Sequence, residues 1–283
     1  MKNVIIPADF SSSYANTVLY ALKLMQGKEC NFVILPLPVM SSLEKAHLEE
    51  GKYESIRNEF YQRLQKLQKN ILQFFPDENY SIKVYSEAEL EEVKHVSLVI
   101  TTNNILQGSH SQTILKLIKS TGSPLLFIPA DRRFSVPKKL FFSLENNLEV
   151  RQTTLKPVKE IFGNCSFDLE ILKIYSEAAN PALEARDEFE LSNLFDAYHP
   201  KIKKIHSRQT EGVLKMTLEN DKVDLNVIPL SPIGYQRVLK SPQVKTGIRN
   251  TSIPLIIIHS AEKEKTSAYK SYRTPRTKSV IES

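Results

Sequence analysis

The feature that most constrains this chain is an internal repeat. Lys2-Asn3-Val4-Ile5-Ile6-Pro7-Ala8-Asp9 is a basic start, a short apolar run and a polar turn, and Lys138 to Glu145 (KKLFFSLE) restates that pattern 136 positions later. Three further matches follow in the same order. Cys30 to Leu35 pairs with Cys165 to Leu172, Ser97 to Ile100 with Asp224 to Val227, and Pro124 to Pro129 with Pro254 to His259. The offsets drift from 136 to 135, 127 and 130, as loop insertions and deletions produce. Ile82 to Tyr85 and Ile202 to Ile205 complete five candidate strands in each half.

Helical periodicity fills the gaps between these runs. Val18, Leu19, Leu22 and Met25 recur at helical spacing after the first strand, with Ser11, Ser12 or Ser13 placed to cap the start. Tyr53, Ile56, Phe60, Leu64, Leu67, Ile71 and Phe74 mark one face of a long helix that Pro76 ends, and Leu191, Leu194, Phe195 and Tyr198 mark a shorter counterpart. These stripes are read as core. Short apolar strands alternating with helices predict an α/β protein of two tandem, open, five-stranded and mainly parallel sheets flanked by helices. The expected domains are residues 1–131 and 137–260, divided where Asp131-Arg132-Arg133 and Pro137 interrupt the pattern.

Charge and composition exclude several classes. Of the net charge of +6, half lies in residues 261–283, where six Lys or Arg face three Glu. That segment has little apolar content and no period, so a disordered basic tail is expected there. The rest is only mildly basic, which gives weak support to a nucleic-acid surface. Cys30 and Cys165 form no Cys-x-x-Cys pair and the six histidines have no metal-ligand spacing, so neither a disulfide scaffold nor a zinc site is expected. No apolar run is long enough for a membrane helix, and the opening run is too short for a signal-peptide core, so the cytoplasm is the expected location.

In open parallel sheets, ligands sit beyond the carboxyl ends of the strands at the switch point. That singles out Pro7-Ala8-Asp9, the segment from Pro36 to Val39, and Thr101 to Ser109 with the nearby Ser111. Asp9 is placed to accept from an adenine amine or a ribose hydroxyl, and equally to cap a helix start. Gly108-Ser109 before a helical stretch can cradle phosphate through backbone N–H groups, or simply cap that helix. No Gly-x-x-x-x-Gly-Lys-Ser/Thr, Gly-x-Gly-x-x-Gly, Gly-x-Ser-x-Gly or His-Glu-x-x-His motif occurs, so catalysis has no visible seat.

Val4 to Ser11 resembles the opening of the universal stress protein family, an apolar strand followed by Pro-x-Asp-x-Ser. Leu98 to Thr102, Gly108-Ser109 and Ser123 to Pro129 are similar to its later landmarks. The resemblance spans residues 1–130 and, more faintly, 138–260. It implies an adenine nucleotide alpha-hydrolase-like, Rossmann-like fold, a stress-response role and an adenine nucleotide (AMP or ATP) in the first half. It implies as site residues Pro7, Ala8, Asp9, Val39, Thr101, Thr102, Gly108, Ser109 and Ser111. It also implies pairing of the two domains through their last strands, Leu125 to Ile128 against Leu255 to Ile258, with a homodimer left open. Two departures stand out. The family's Gly-x-x-Gly is missing, because Asn103-Asn104 follow Thr102; and the second half has Glu145 for the aspartate and Ser241-Pro242 where Gly-Ser belongs. Three readings stay open: a nucleotide-binding stress protein, a nucleotide-independent scaffold for a protein partner, and an enzyme of the related hydrolase group, whose Ser-Gly-Gly-x-Asp-Ser loop is absent.

Overall fold

Strands rich in Val, Ile, Leu and Phe on both faces belong in the middle of a parallel sheet, where helices cover each side. The computed structural model of the chain describes residues 2–8, 12–36, 80–84, 96–102, 121–145, 148–149, 152–163, 166–175, 180–207, 209–230, 252–259 and 261–262. It also describes single helical positions between 55 and 73 and at 114, 117 and 118. The apolar stripe from Tyr53 to Phe74 lies outside the described residues.

The first half contributes β1 (Lys2–Ala8), α1 (Ser12–Leu24), β2 (Cys30–Pro36), β3 (Tyr80–Val84), β4 (Val96–Thr102) and β5 (Leu125–Ile128). The second contributes β6 (Lys139–Glu145), the two-residue β7 (Leu148–Glu149), α2 (Gln152–Phe162), β8 (Asp168–Tyr175), α3 (Pro181–Leu194) and β9 (Lys201–His206). It continues with α4 (Thr210–Asn220), β10 (Leu225–Leu230), β11 (Leu255–His259) and β12 (Ala261–Glu262).

Ten of these strands form one sheet in the order β3-β2-β1-β4-β5-β11-β10-β6-β8-β9. The two tandem sheets expected from the sequence are joined into a single sheet through the last-strand pairing that the family resemblance implied, and the reason is the edge strand. β5 is short, apolar and buried, as are Leu255 to Ile258 of β11, and each strand would present unpaired N–H and C=O groups if left open. They pair antiparallel, the one antiparallel junction in an otherwise parallel sheet. Leu126 faces Ile256, Leu125 faces Ile257 and Phe127 faces Leu255, a register symmetric about the central pair, as a local twofold axis through it requires. Read outward from the junction, each half runs through its fifth, fourth, first, second and third strands.

Register fixes the equivalences between halves more firmly than sequence. Val99 pairs with Leu125 and Asn226 with Leu255, which upholds the offset of 127 for β4 and β10. Val4 pairs with Leu98 and Leu140 with Leu225, which upholds 136 for β1 and β6. The second strands differ. Phe32 pairs with Val4 and Leu169 with Leu140, so Cys30 corresponds to Phe167 and not to Cys165. The two-residue slip leaves each side chain on its original face, so the apolar pattern could not reveal it.

One core face packs α1 (Val18, Ala21, Leu22), α2 (Val158, Ile161, Phe162) and the end of α3 (Leu191, Phe195) against the sheet across both halves. On the other face Ile114, Leu117 and Ile118 cover Ile5, Val99 and Phe127 and reach Leu255 and Ile257 of the second half. Leu218 of α4 covers Phe141, Leu172 and Ile174. The halves are also tied by charge. Lys28 donates through Nζ to the carbonyls of Glu160 (3.1 Å) and Ile161 (2.6 Å), a cation set at the negative end of α2. The connecting segment follows α1, with Asn16 Nδ2 donating to the carbonyls of Ala130 and Arg132 and Phe134 meeting Tyr20 edge-on.

Glu170, buried in β8, anchors the amino edge of the second half. It meets Lys139 at 2.8 Å and Lys203 on its other oxygen, and Lys203 also reaches Asp221 at 2.9 Å. Burial works to raise the Glu170 pKa, but the hydrogen bonds from Lys139 and Lys203 outweigh it and hold the carboxyl below its ordinary 4.5. A carboxyl depressed on folding stabilises the protein above its unfolded pKa, and that contribution fades as pH falls below 4.5. Glu170→Gln should thus cost about 1–3 kcal/mol at neutral pH. The gap to wild type in urea midpoint should narrow below pH 4.5, and a gap that stays constant would show that charge is not its source.

Candidate functional site

β1 and β4 are neighbours, but their connections leave in opposite directions, to β2 and to β5. Their carboxyl ends therefore border the crevice where α/β sheets receive ligands. β1 brings Pro7 and Ala8 to this edge, and β4 brings Thr101 and Thr102. All four are buried. Asp9, Val39, Gly108, Ser109 and Ser111 lie outside the described residues.

Strand alternation sends the two threonines to opposite faces of the sheet. Thr102 follows Leu98 and Ile100 toward the α1 face, and Thr101 follows Val99 toward the face covered by Ile114 and Ile118. Both hydroxyls are closed off from the surface, with 0% and 1% exposure for the residues, and neither has a hydrogen-bond partner among the described residues. A buried hydroxyl left unpaired costs ~1–3 kcal/mol, so these two favour a polar group at the edge of the crevice. Each can donate once and accept twice.

The second half lacks this provision. By sheet register, Thr101 corresponds to Ile228 and Thr102 to Pro229, and neither has a side-chain polar atom. The β1–β6 offset of 136, carried one residue past β1, sets Glu145 against Asp9 in the sequence. The polar pair that β6 and β10 share is buried and already satisfied, since Ser143 Oγ donates to Asn226 Oδ1 at 2.8 Å.

Sequence reading missed a buried polar cluster at the carboxyl end of β8. Lys173 Nζ lies 3.5 Å from Asp187 Oδ2 of α3, with both side chains at most 5% exposed. Tyr175 OH donates toward the same carboxylate at 3.5 Å, and its ring stacks on His206, whose Nε2 is 3.4 Å from Glu184 Oε1. Burial first, and then the Asp187 carboxylate, push the Tyr175 phenol up to about 12, so it stays a neutral donor. The cluster pins α3 to β8 and β9; its amine is too enclosed to meet a substrate. The only sequence signal was a lysine inside the apolar run of β8. Among the described residues no group of three His, Cys, Asp or Glu could hold a metal, and no helix is long and apolar enough to cross a membrane.

No protein-family model matches the sequence, and no curated protein matches it. Solved structures do match in fold. A universal stress protein from Archaeoglobus fulgidus DSM 4304 aligns with a TM-score of 0.65 at 11% identity, covering 93% of this chain and 97% of that one. A candidate universal stress protein from Pseudomonas aeruginosa UCBPP-PA14 aligns at 0.54 and 11% identity over 92% and 94%. The cytoplasmic domain of a prokaryotic cation chloride cotransporter aligns at 0.53 and 11% identity over 90% and 94%. The fold of this chain is thus the universal stress protein fold over nearly its whole length.

Proposed function

We propose that this chain is a cytoplasmic, universal-stress-protein-like stress-response protein whose first half takes an adenine nucleotide weakly, while its second half serves as a structural partner. Residues 1–131 and 137–260 act as the two domains. The observation that supports this most is the contrast at the switch points. The first half offers two buried threonine hydroxyls at the end of β4, where the second half has Ile228 and Pro229. Asp9 is the proposed acceptor for the adenine amine or ribose hydroxyl. The missing Gly-x-x-Gly removes backbone positions that could approach phosphates closely, because only glycine lets the chain come so near.

The adenine end is therefore kept and the triphosphate end lost, so AMP or adenosine should bind better than ATP would. Losing two or three charge-assisted hydrogen bonds at ~1.5–3 kcal/mol each lowers affinity by two or more orders of magnitude. Calorimetry should show AMP binding that Asp9→Ala and Thr102→Val weaken at least tenfold and Glu145→Ala leaves unchanged. Tight ATP binding, or binding lost through Glu145→Ala alone, overturns the assignment. Absence of any nucleotide binding would favour the scaffold reading, in which the paired halves present a surface to a protein partner. The missing glycine motif is the observation in favour of that reading.

A further inference from the structure

The short β7–β12 pair has a consequence for the second half. β6, β10 and β11 are parallel neighbours, so their carboxyl ends lie on one edge of the sheet in that order. The crevice of the second half, equivalent to that between β1 and β4, opens at the ends of β6 and β10. After β11 ends at His259, Ala261 and Glu262 pair antiparallel with Glu149 and Leu148. Those partners sit in the connection between β6 and α2.

Chain reach fixes where this pair lies. β6 and β11 flank β10, two strand spacings of ~4.8 Å apart. Ala261 is two residue steps beyond β11, and Leu148 is three beyond β6, distances of at most ~7 and ~11 Å at ~3.6 Å per residue. The chain leaving β6 and the chain leaving β11 can meet within those lengths only near the carboxyl end of β10. Among the described residues the first half shows no such pair. Its β1–α1 connection has three residues (9–11), against six (146–151) between β6 and α2. Its chain after β5 turns away from β4 toward β6, held along α1 by Asn16 and Tyr20.

We propose that Ala261 and Glu262, following β11, form a strap that closes the carboxyl-edge crevice of the second half. The longer β6–α2 connection is the receptor for the strap. The strap's two paired residues make the closure, so the chain is held as far as Glu262, past the Ala261 at which composition placed the start of a disordered tail. The inference stands whether or not the first half takes a nucleotide.

Two full-length variants test it. Cα partners across an antiparallel pair lie within disulfide range, so Glu149→Cys/Ala261→Cys on a Cys165→Ser background should cross-link under mild oxidation. Free thiols should fall by two, and the oxidised protein should unfold at a higher temperature than the reduced one. Glu149→Cys paired with Ser283→Cys should cross-link at least tenfold more slowly. Ala261→Pro removes a ladder donor, so hydrogen exchange in the peptide covering 146–150 should rise at least tenfold while β6 and β8 stay unchanged. An in-register pair that cross-links no faster than the control, or lowers the unfolding temperature, would overturn the strap. So would exchange unaffected by Ala261→Pro in a folded variant; if that variant fails to fold, the cross-link rate alone decides.

Discussion

Replacing Leu126 with aspartate is expected to unfold the whole protein at ordinary temperature. Leu126 is fully buried at the centre of the junction, paired with Ile100 on one side and Ile256 on the other. A carboxylate there would have to be protonated, and protonating it at neutral pH against an ordinary pKa of about 3.9 costs about 4 kcal/mol. Loss of the leucine itself adds ~2–3 kcal/mol. The sum is comparable to the entire stability of a typical domain, about 5–15 kcal/mol. Leu126→Ala gives the graded version, expected to cost ~2–5 kcal/mol and to leave a single unfolding transition. A single transition is expected because both core faces run through the junction from one half to the other. Phe189→Asp on the exposed side of α3 is the control, with an effect within ~0.5 kcal/mol. Urea melts followed by circular dichroism read all three. A folded Leu126→Asp protein, or a Leu126→Ala protein that melts in two steps, would show that β5 and β11 do not unite the halves.

The second large effect belongs to the buried Lys173–Asp187 pair. Removing one member leaves an uncompensated charge in the interior, so Lys173→Met or Asp187→Leu alone should cost about 3–5 kcal/mol. Removing both should restore much of that loss, because an apolar pair of similar volume suits a site between β8 and α3. The double-mutant cycle should therefore yield a coupling of at least ~2 kcal/mol. Additive single effects would mean the two groups do not share one enclosed site. Tyr175 sets a further check, because its hydroxyl donates toward Asp187 and its phenol is pushed up to about 12 by burial and that carboxylate. In Asp187→Leu the tyrosine should ionise at a lower pH than in wild type, as seen by ultraviolet titration.

The alternation of strands and helices, the five strands of each half and the candidate ligand edge were all legible in the sequence. They rest on local periodicity and on repeated landmarks such as Pro124 to Pro129 and Pro254 to His259, which need no knowledge of distant neighbours. That Pro7, Ala8, Thr101 and Thr102 lie at strand ends was legible for the same reason, since a strand end is a local property. The pairing of Leu125–Ile128 with Leu255–Ile258 was implied by the family resemblance and is observed, but its register and its consequence for the sheet were not legible. The union of two sheets into one depends on whether two buried edges meet, and the symmetric register about Leu126 and Ile256 exists only once they do. The slip that separates Cys30 from Cys165 preserved facing and so left no trace in hydropathy. A lysine within β8 carried no sequence reading, and a tail of low apolar content was expected to be disordered. Only the packing of α3 buried the first, and only the pairing of Ala261 and Glu262 with the β6–α2 connection held the start of the second, because contacts between residues far apart in the chain outweigh local preference.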